Sequence, residues 1–186
     1  MKHLKIIGLA LVAAAAFMAF AGNASAAPTL TSPSGTEYTG PITATAVETL
    51  TLKAGFATDT CTTSTVGGTV SSNTEAEASG SISTLDFGGP CTLTTTTLST
   101  GSLTILPGGE VKAIGSEVTV AALGTSCVYG GGPSPGTKLG TLTGGTTATL
   151  SVKAGLPKIS GGFACASPAE WTGKYSVTTP DTLLLS

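Results

Sequence analysis

Between residues 42 and 54 the chain alternates. Ile42, Ala44, Ala46, Leu50, Leu52 and Ala54 fall on one face of an extended segment, and Thr43, Thr45, Thr49, Thr51 and Lys53 on the other. Glu48 is the exception, a charge on the apolar face. A period of two over this length predicts a strand with one buried and one solvated face. Further apolar or alternating runs follow at 60–70, 81–87, 92–98, 102–106, 111–114, 117–123, 126–129, 138–142, 147–154, 159–165, 172–178 and 182–185. Turn-forming clusters punctuate them: Gly67-Gly68, Gly88-Gly89-Pro90, Pro107-Gly108-Gly109, the glycine- and proline-rich 130–136, Gly144-Gly145 and Gly161-Gly162. After residue 26 no segment sustains a helical period, and 73–79 is expected to hold at most one helical turn. Short strands at this spacing predict an all-β fold, an antiparallel β-sandwich or a jelly-roll-like barrel.

The first 26 residues have a different pattern. Lys2 and Lys5 precede a nearly unbroken apolar run from Ile6 to Ala21, and Asn23-Ala24-Ser25-Ala26 supplies small residues for cleavage. This is the layout of a secretory signal peptide of residues 1–26, cut after Ala26. The run is short for a membrane span, and no later segment is long and apolar enough for one. Residues 27–40 are rich in Pro, Ser and Gly and read as an extended N-terminal arm. Residues 41–186 then form a single β domain.

Removing the leader changes the chemistry available. Residues 27–186 hold six lysines against ten acidic residues, and no His, Arg or Gln. Histidine-dependent nucleophilic catalysis, His-ligated metals and Arg phosphate clamps are thereby excluded. A chain of net negative charge without Arg cannot neutralise a run of phosphates, so nucleic acid is not an expected partner. Thr, Ser and Gly make up nearly half of these residues. The low charge separates the chain from the usual disordered composition, and Thr and Val favour strands. The expectation is a polar-faced β protein with a thin core.

Four cysteines, Cys61, Cys91, Cys127 and Cys165, compensate for a thin core. An even number in an exported chain reads as disulfides, and the spacing is too wide for a thiolate metal site. Three pairings are open. Cys61–Cys91 with Cys127–Cys165 is favoured because it joins neighbours and leaves two similar halves. A faint echo, Thr49-Leu-Thr-Leu-Lys-Ala-Gly55 against Thr149-Leu-Ser-Val-Lys-Ala-Gly155, fits two halves each stapled once.

The segments Asp59-Thr-Cys61-Thr-Thr-Ser, Phe87-Gly-Gly-Pro-Cys91, Cys127-Val-Tyr129 with its glycine-rich turn, and Cys165 followed by Trp171 and Tyr175 carry a family likeness. The chain resembles short, secreted, Thr/Gly-rich bacterial proteins of uncharacterised function with four cysteines. More distantly it resembles the exported alkane-oxidation activators, a group that includes biofilm-matrix and surface adhesins. The resemblance implies a cell-surface setting and brings no catalytic residues.

Candidate chemistry is sparse. No GxSxG or Ser-x-x-Lys pattern is present. The carboxylates Glu75, Glu77, Asp86, Glu110, Glu117 and Glu170 read as solvated acids rather than a glycosidase pair, and no calcium-loop motif accompanies Glu75 and Glu77. Trp171 with Tyr175 forms a possible ligand patch, although a lone Trp near a disulfide more often caps a small core. Thr92, Thr94 and Thr96 form a hydroxyl ladder. An unprotected edge of that character pairs with other chains. The expected function is that of a secreted, non-enzymatic surface or matrix protein. It would act by self-association or by adhesion to matrix polymers, with no cofactor and no metal. The alternative is a secreted binding module for polysaccharide or a hydrophobic ligand.

Overall fold

The computed structural model describes residues 27–186 apart from Phe56 and Leu123; the leader and its cleavage site lie outside the described residues. Among these residues sixteen strands follow one another. They are β1 (Leu30–Thr31), β2 (Gly40–Ala46), β3 (Leu50–Ala54), β4 (Ala57–Cys61), β5 (Thr65–Asn73), β6 (Ala78–Asp86), β7 (Thr94–Ser99), β8 (Ser102–Ile105), β9 (Glu110–Ile114), β10 (Glu117–Ala122), β11 (Thr125–Gly130), β12 (Thr137–Thr143), β13 (Thr149–Leu156), β14 (Lys158–Ser160), β15 (Ala169–Thr179) and β16 (Leu184–Leu185). The fold is all-β, and of the two expected architectures it takes the barrel.

Eight strands close into that barrel in the order β2-β5-β6-β8-β9-β12-β13-β15, with β15 pairing both β13 and β2. Every neighbouring pair is antiparallel. The order is also chain order, so the barrel is an up-and-down meander and successive connections alternate between its two ends. The pieces inserted into the meander are β3–β4, β7, β10–β11 and β14. All four fall in connections at the same end, called upper here. There β7, β10, β11 and β14 pair into a four-stranded sheet, order β14-β11-β10-β7, that caps the barrel. The β3–β4 hairpin takes over from β2 along the upper half of β15, with Leu52 opposite Trp171 and Lys53 opposite Glu170.

Alternation along β15 shows how the sequence builds the wall. Ala169, Trp171, Gly173, Tyr175 and Val177 point inward, while Glu170, Thr172, Lys174, Ser176 and Thr178 face out. Their inward partners are Leu150, Val152, Ala154 and Leu156 of β13, and Ala44 and Ala46 of β2. Apolar residues inside and polar ones outside is the reverse of a membrane-spanning barrel. Among the described residues no helix is long and apolar enough to cross a membrane.

The lower end is closed by the first and last of the described strands. β1 pairs β16, and Leu30 and Leu183 are fully buried. Asn73 at the end of β5 accepts the Leu30 N–H at 3.0 Å and donates to the carbonyls of Leu30 at 2.6 Å and Tyr38 at 2.9 Å. The lead segment 27–40 is thus seated under the barrel by an amide side chain that substitutes for a strand neighbour.

Several expectations need correction. The strand expected over 42–54 breaks at Val47–Thr49, where Glu48 interrupts the apolar face, and becomes β2 and β3. The run at 60–70 is likewise two strands. Ser64 sits between them, donating to the Asp86 carbonyl at 2.7 Å and accepting from Tyr175 at 3.0 Å. Gly67-Gly68 is no turn but lies inside β5 at a bulge. A methyl on Gly68 would stand 2.3 Å from the Ser81 carbonyl oxygen, so glycine allows the close approach at a barrel corner. Residues 73–79 hold no helical turn; Asn73 pairs directly with Ala78. The run 159–165 forms a strand only to Ser160. A side chain on Gly161 would meet the Cys165 sulfur at 2.6 Å, so the chain turns there and carries Cys165 to Cys127.

Candidate functional site

Small residues interrupt the large apolar ones that line the barrel interior. Ala44, Gly68, Ala78 and Gly80 line the lower half, opposite Ile42, Ile105 and Leu142. Eight-stranded barrels have interiors that side chains just fill, or that hold one small ligand. Here small residues leave space: a lower cavity of about 90 Å³ and an upper one of about 80 Å³ beneath the cap. Both touch Val66, Ile82, Leu103, Leu150 and Tyr175, so one ring of side chains separates them. The lining of both is almost entirely apolar. Together they are comparable with an apolar cavity of about 150 Å³ that takes up benzene.

Trp171 and Tyr175, the pair singled out in the sequence, meet in the upper cavity's wall. Their rings pack edge to face with centroids 6.4 Å apart, and Phe87 makes a similar contact with Trp171 at 6.4 Å. Tyr175 is buried and Trp171 half-buried, so the pair belongs to the interior rather than to an exposed patch. Burial pushes the Tyr175 phenol up to about 12, a rise partly offset by its hydrogen bond to Ser64.

Asp59 is the one carboxylate in that wall. It is buried on β4, two residues before Cys61. Its oxygens accept from the Leu93 N–H at 2.9 Å, the Thr92 hydroxyl at 3.1 Å and the Thr95 hydroxyl. A buried carboxylate with three donors is a strong latch, and it fastens β4 to the lead-in of β7. The Thr ladder therefore divides: Thr92 joins Thr95 of the opposite face in the latch, while Thr94 and Thr96 stay exposed.

Both disulfides reinforce the same end. Cys61–Cys91 spans 4.1 Å between Cα atoms and Cys127–Cys165 spans 5.7 Å, the favoured pairing. One ties β4 to the approach of β7, the other ties β11 to the loop after β14. Each half of the chain carries one staple, as expected, and both staples lie at the capped end of the barrel. The echoed segments are β3 and β13, and they flank β15 on either side, meeting at Trp171 through Leu52 and Ala154. Asp59, Cys61 and Cys91 form the one His/Cys/Asp/Glu cluster found among the described residues, but its sulfurs are spent in the disulfide.

The remaining acids lie away from the cavities. Glu110 is bound by Lys138 at 2.7 Å and by Lys112 at 3.7 Å on the barrel exterior, and the Lys138 hydrogen bond is the main cause that lowers its pKa. Glu75, Glu77 and Glu170 are exposed. Asp59 and Tyr129 enter the sequence reading only as parts of the cysteine segments, with no site role, though one signal marks both. Each stands two residues from a disulfide cysteine on a strand, and so shares that cysteine's inward face.

The fold and interior define a class: a disulfide-capped, closed antiparallel barrel with an apolar hollow. No protein family, curated protein or solved structure matches the chain.

Proposed function

We propose that this protein is a non-enzymatic binding module that holds a small apolar molecule inside its barrel. The observation that carries this reading is the pair of adjoining apolar cavities inside the barrel, one beneath the cap and one in the lower half. It favours a hydrophobic ligand over polysaccharide, because Trp171 contacts Phe87 and Tyr175 edge to face and lines the apolar cavity rather than an exposed patch. Two disulfides are consistent with an oxidising, extracellular setting, and export through the leader completes the proposal. Titration with benzene tests it. The methyl resonances of Val66, Ile82, Leu103 and Leu150 shift saturably if the hollow takes up ligand, and stay fixed if it does not.

Self-association is the second reading, supported by β7. That strand pairs only with β10 among the described residues and exposes Thr94, Thr96 and Leu98, the last 62% exposed. Such an edge is open to pairing with another chain. Light scattering on the oxidised protein checks it: concentration-dependent assembly abolished by Leu98→Lys supports it, and a monomer at every concentration removes it.

A further inference from the structure

The upper cavity's wall carries six side chains with polar groups, Asp59, Thr95, Ser116, Tyr129, Tyr175 and Trp171, the last only half-buried. Four are paired. Asp59 takes three donors, one of them from Thr95. Ser116 donates to the Thr100 carbonyl at 2.6 Å, and Tyr175 donates to Ser64 at 3.0 Å. Tyr129 differs. It is 0% exposed, and its hydroxyl is the one buried side-chain polar atom without a hydrogen-bond partner among the described residues.

Burying a hydroxyl without a partner is destabilising, and such groups are few in folded proteins. Phenylalanine would fill the same volume without that cost. A trapped water is a poor partner here, because a buried water requires about two to four polar contacts. The neighbouring main-chain donors are spent: the Gly130 N–H goes to the Pro157 carbonyl and the Gly131 N–H to the Ser116 carbonyl. A ligand oxygen, by contrast, needs only one donor, and the rest of the lining suits a hydrocarbon body.

Building on the barrel-binding reading, we propose that the ligand is an apolar molecule bearing one hydrogen-bond acceptor of the carbonyl class, and that the Tyr129 hydroxyl donates to that oxygen. The polar contact selects among hydrocarbons of equal shape. It places the carbonyl under the cap, with the apolar remainder directed toward the Val66–Ile82–Leu103–Leu150 ring.

Cyclohexanone and methylenecyclohexane share shape and differ in the acceptor. Their affinities are measured calorimetrically on the oxidised full chain and on Tyr129→Phe. The ketone-to-alkene affinity ratio is expected to fall about tenfold in the variant, equal to ~1.4 kcal/mol. Without ligand, Tyr129→Phe should be at least as stable as the parent, whereas a purely structural hydroxyl would make it less stable. A crystal structure of the parent with cyclohexanone should place the ketone oxygen about 2.8 Å from the Tyr129 hydroxyl. If both probes bind and the ratio is unchanged, or the ketone oxygen points elsewhere, the carbonyl assignment is overturned and the barrel reading stands. If neither probe binds, both fall.

Discussion

Tyr175 joins three elements of the barrel through one side chain. It stands on β15 opposite Ala46 and Leu150, and its hydroxyl reaches Ser64 ahead of β5. Burial holds its proton to about pH 12, against 10 for an exposed phenol. A folded-state pKa above the unfolded one means that the folded form keeps its proton when the unfolded form has lost it. The contribution is full below pH 10 and is lost as pH rises through 12. Urea unfolding should therefore show stability falling by on the order of 2–3 kcal/mol across that window, with a shallower fall in Tyr175→Phe. An equal slope in the two proteins would deny Tyr175 this role. Asp59 makes a second residue-level case. Asp59→Asn should cost about 1–3 kcal/mol, because an amide cannot accept from both faces as the carboxylate does. Thr96→Val, next to the latch residue Thr95 but on the exposed side, should stay within about 0.5 kcal/mol. Comparing their urea midpoints separates a latch from a generic Thr-rich surface.

The strands themselves were largely legible from their alternation, because a half-buried strand writes period two into the chain. Boundaries failed where one residue broke the pattern for a tertiary reason. Glu48 marked the break between β2 and β3, yet an alternation rule alone bridges it. Gly67-Gly68 looked like a turn because glycine is common in turns; its use inside β5 depends on how closely Ser81 approaches across the sheet. Cysteine pairing was legible from sequence proximity, but its location was not, since both staples sit in pieces inserted at one end of the meander. That placement has an energetic consequence. Closing loops with sequence separations of 30 and 38 residues contributes roughly 3–4 kcal/mol each in the chain-entropy model. Replacing Cys127 and Cys165 together by Ala should lower stability by about that much. Amide exchange should then quicken in β10, β11 and β14 well before β5 and β6. Uniform quickening would show that the cap and barrel open as one unit.

At the scale of the molecule, the hollow is the property least visible in the sequence. Closure depends on β15 meeting β2 and β13 across separations of well over a hundred residues in one case and some twenty in the other, and no local pattern encodes that. The space inside follows from which of the alternating inward positions carry Ala or Gly, and it emerges only when eight strands bring those positions together. Ala44 is the simplest place to test this. It lies inward on β2, lines the lower cavity and is 8% exposed. Valine there adds two methyl groups into existing space and suits a strand. Filling a real cavity typically stabilises by about 0.5–2 kcal/mol, whereas overpacking a filled core costs about 1–3 kcal/mol. Ala44→Val should therefore raise the urea midpoint with an unchanged denaturant slope and weaken benzene uptake at the lower cavity, while leaving the cyclohexanone response at Tyr129 intact. A lowered midpoint would mean the wall has no room at Ala44. The sign of one substitution thus distinguishes a barrel with room at Ala44 from one already packed there.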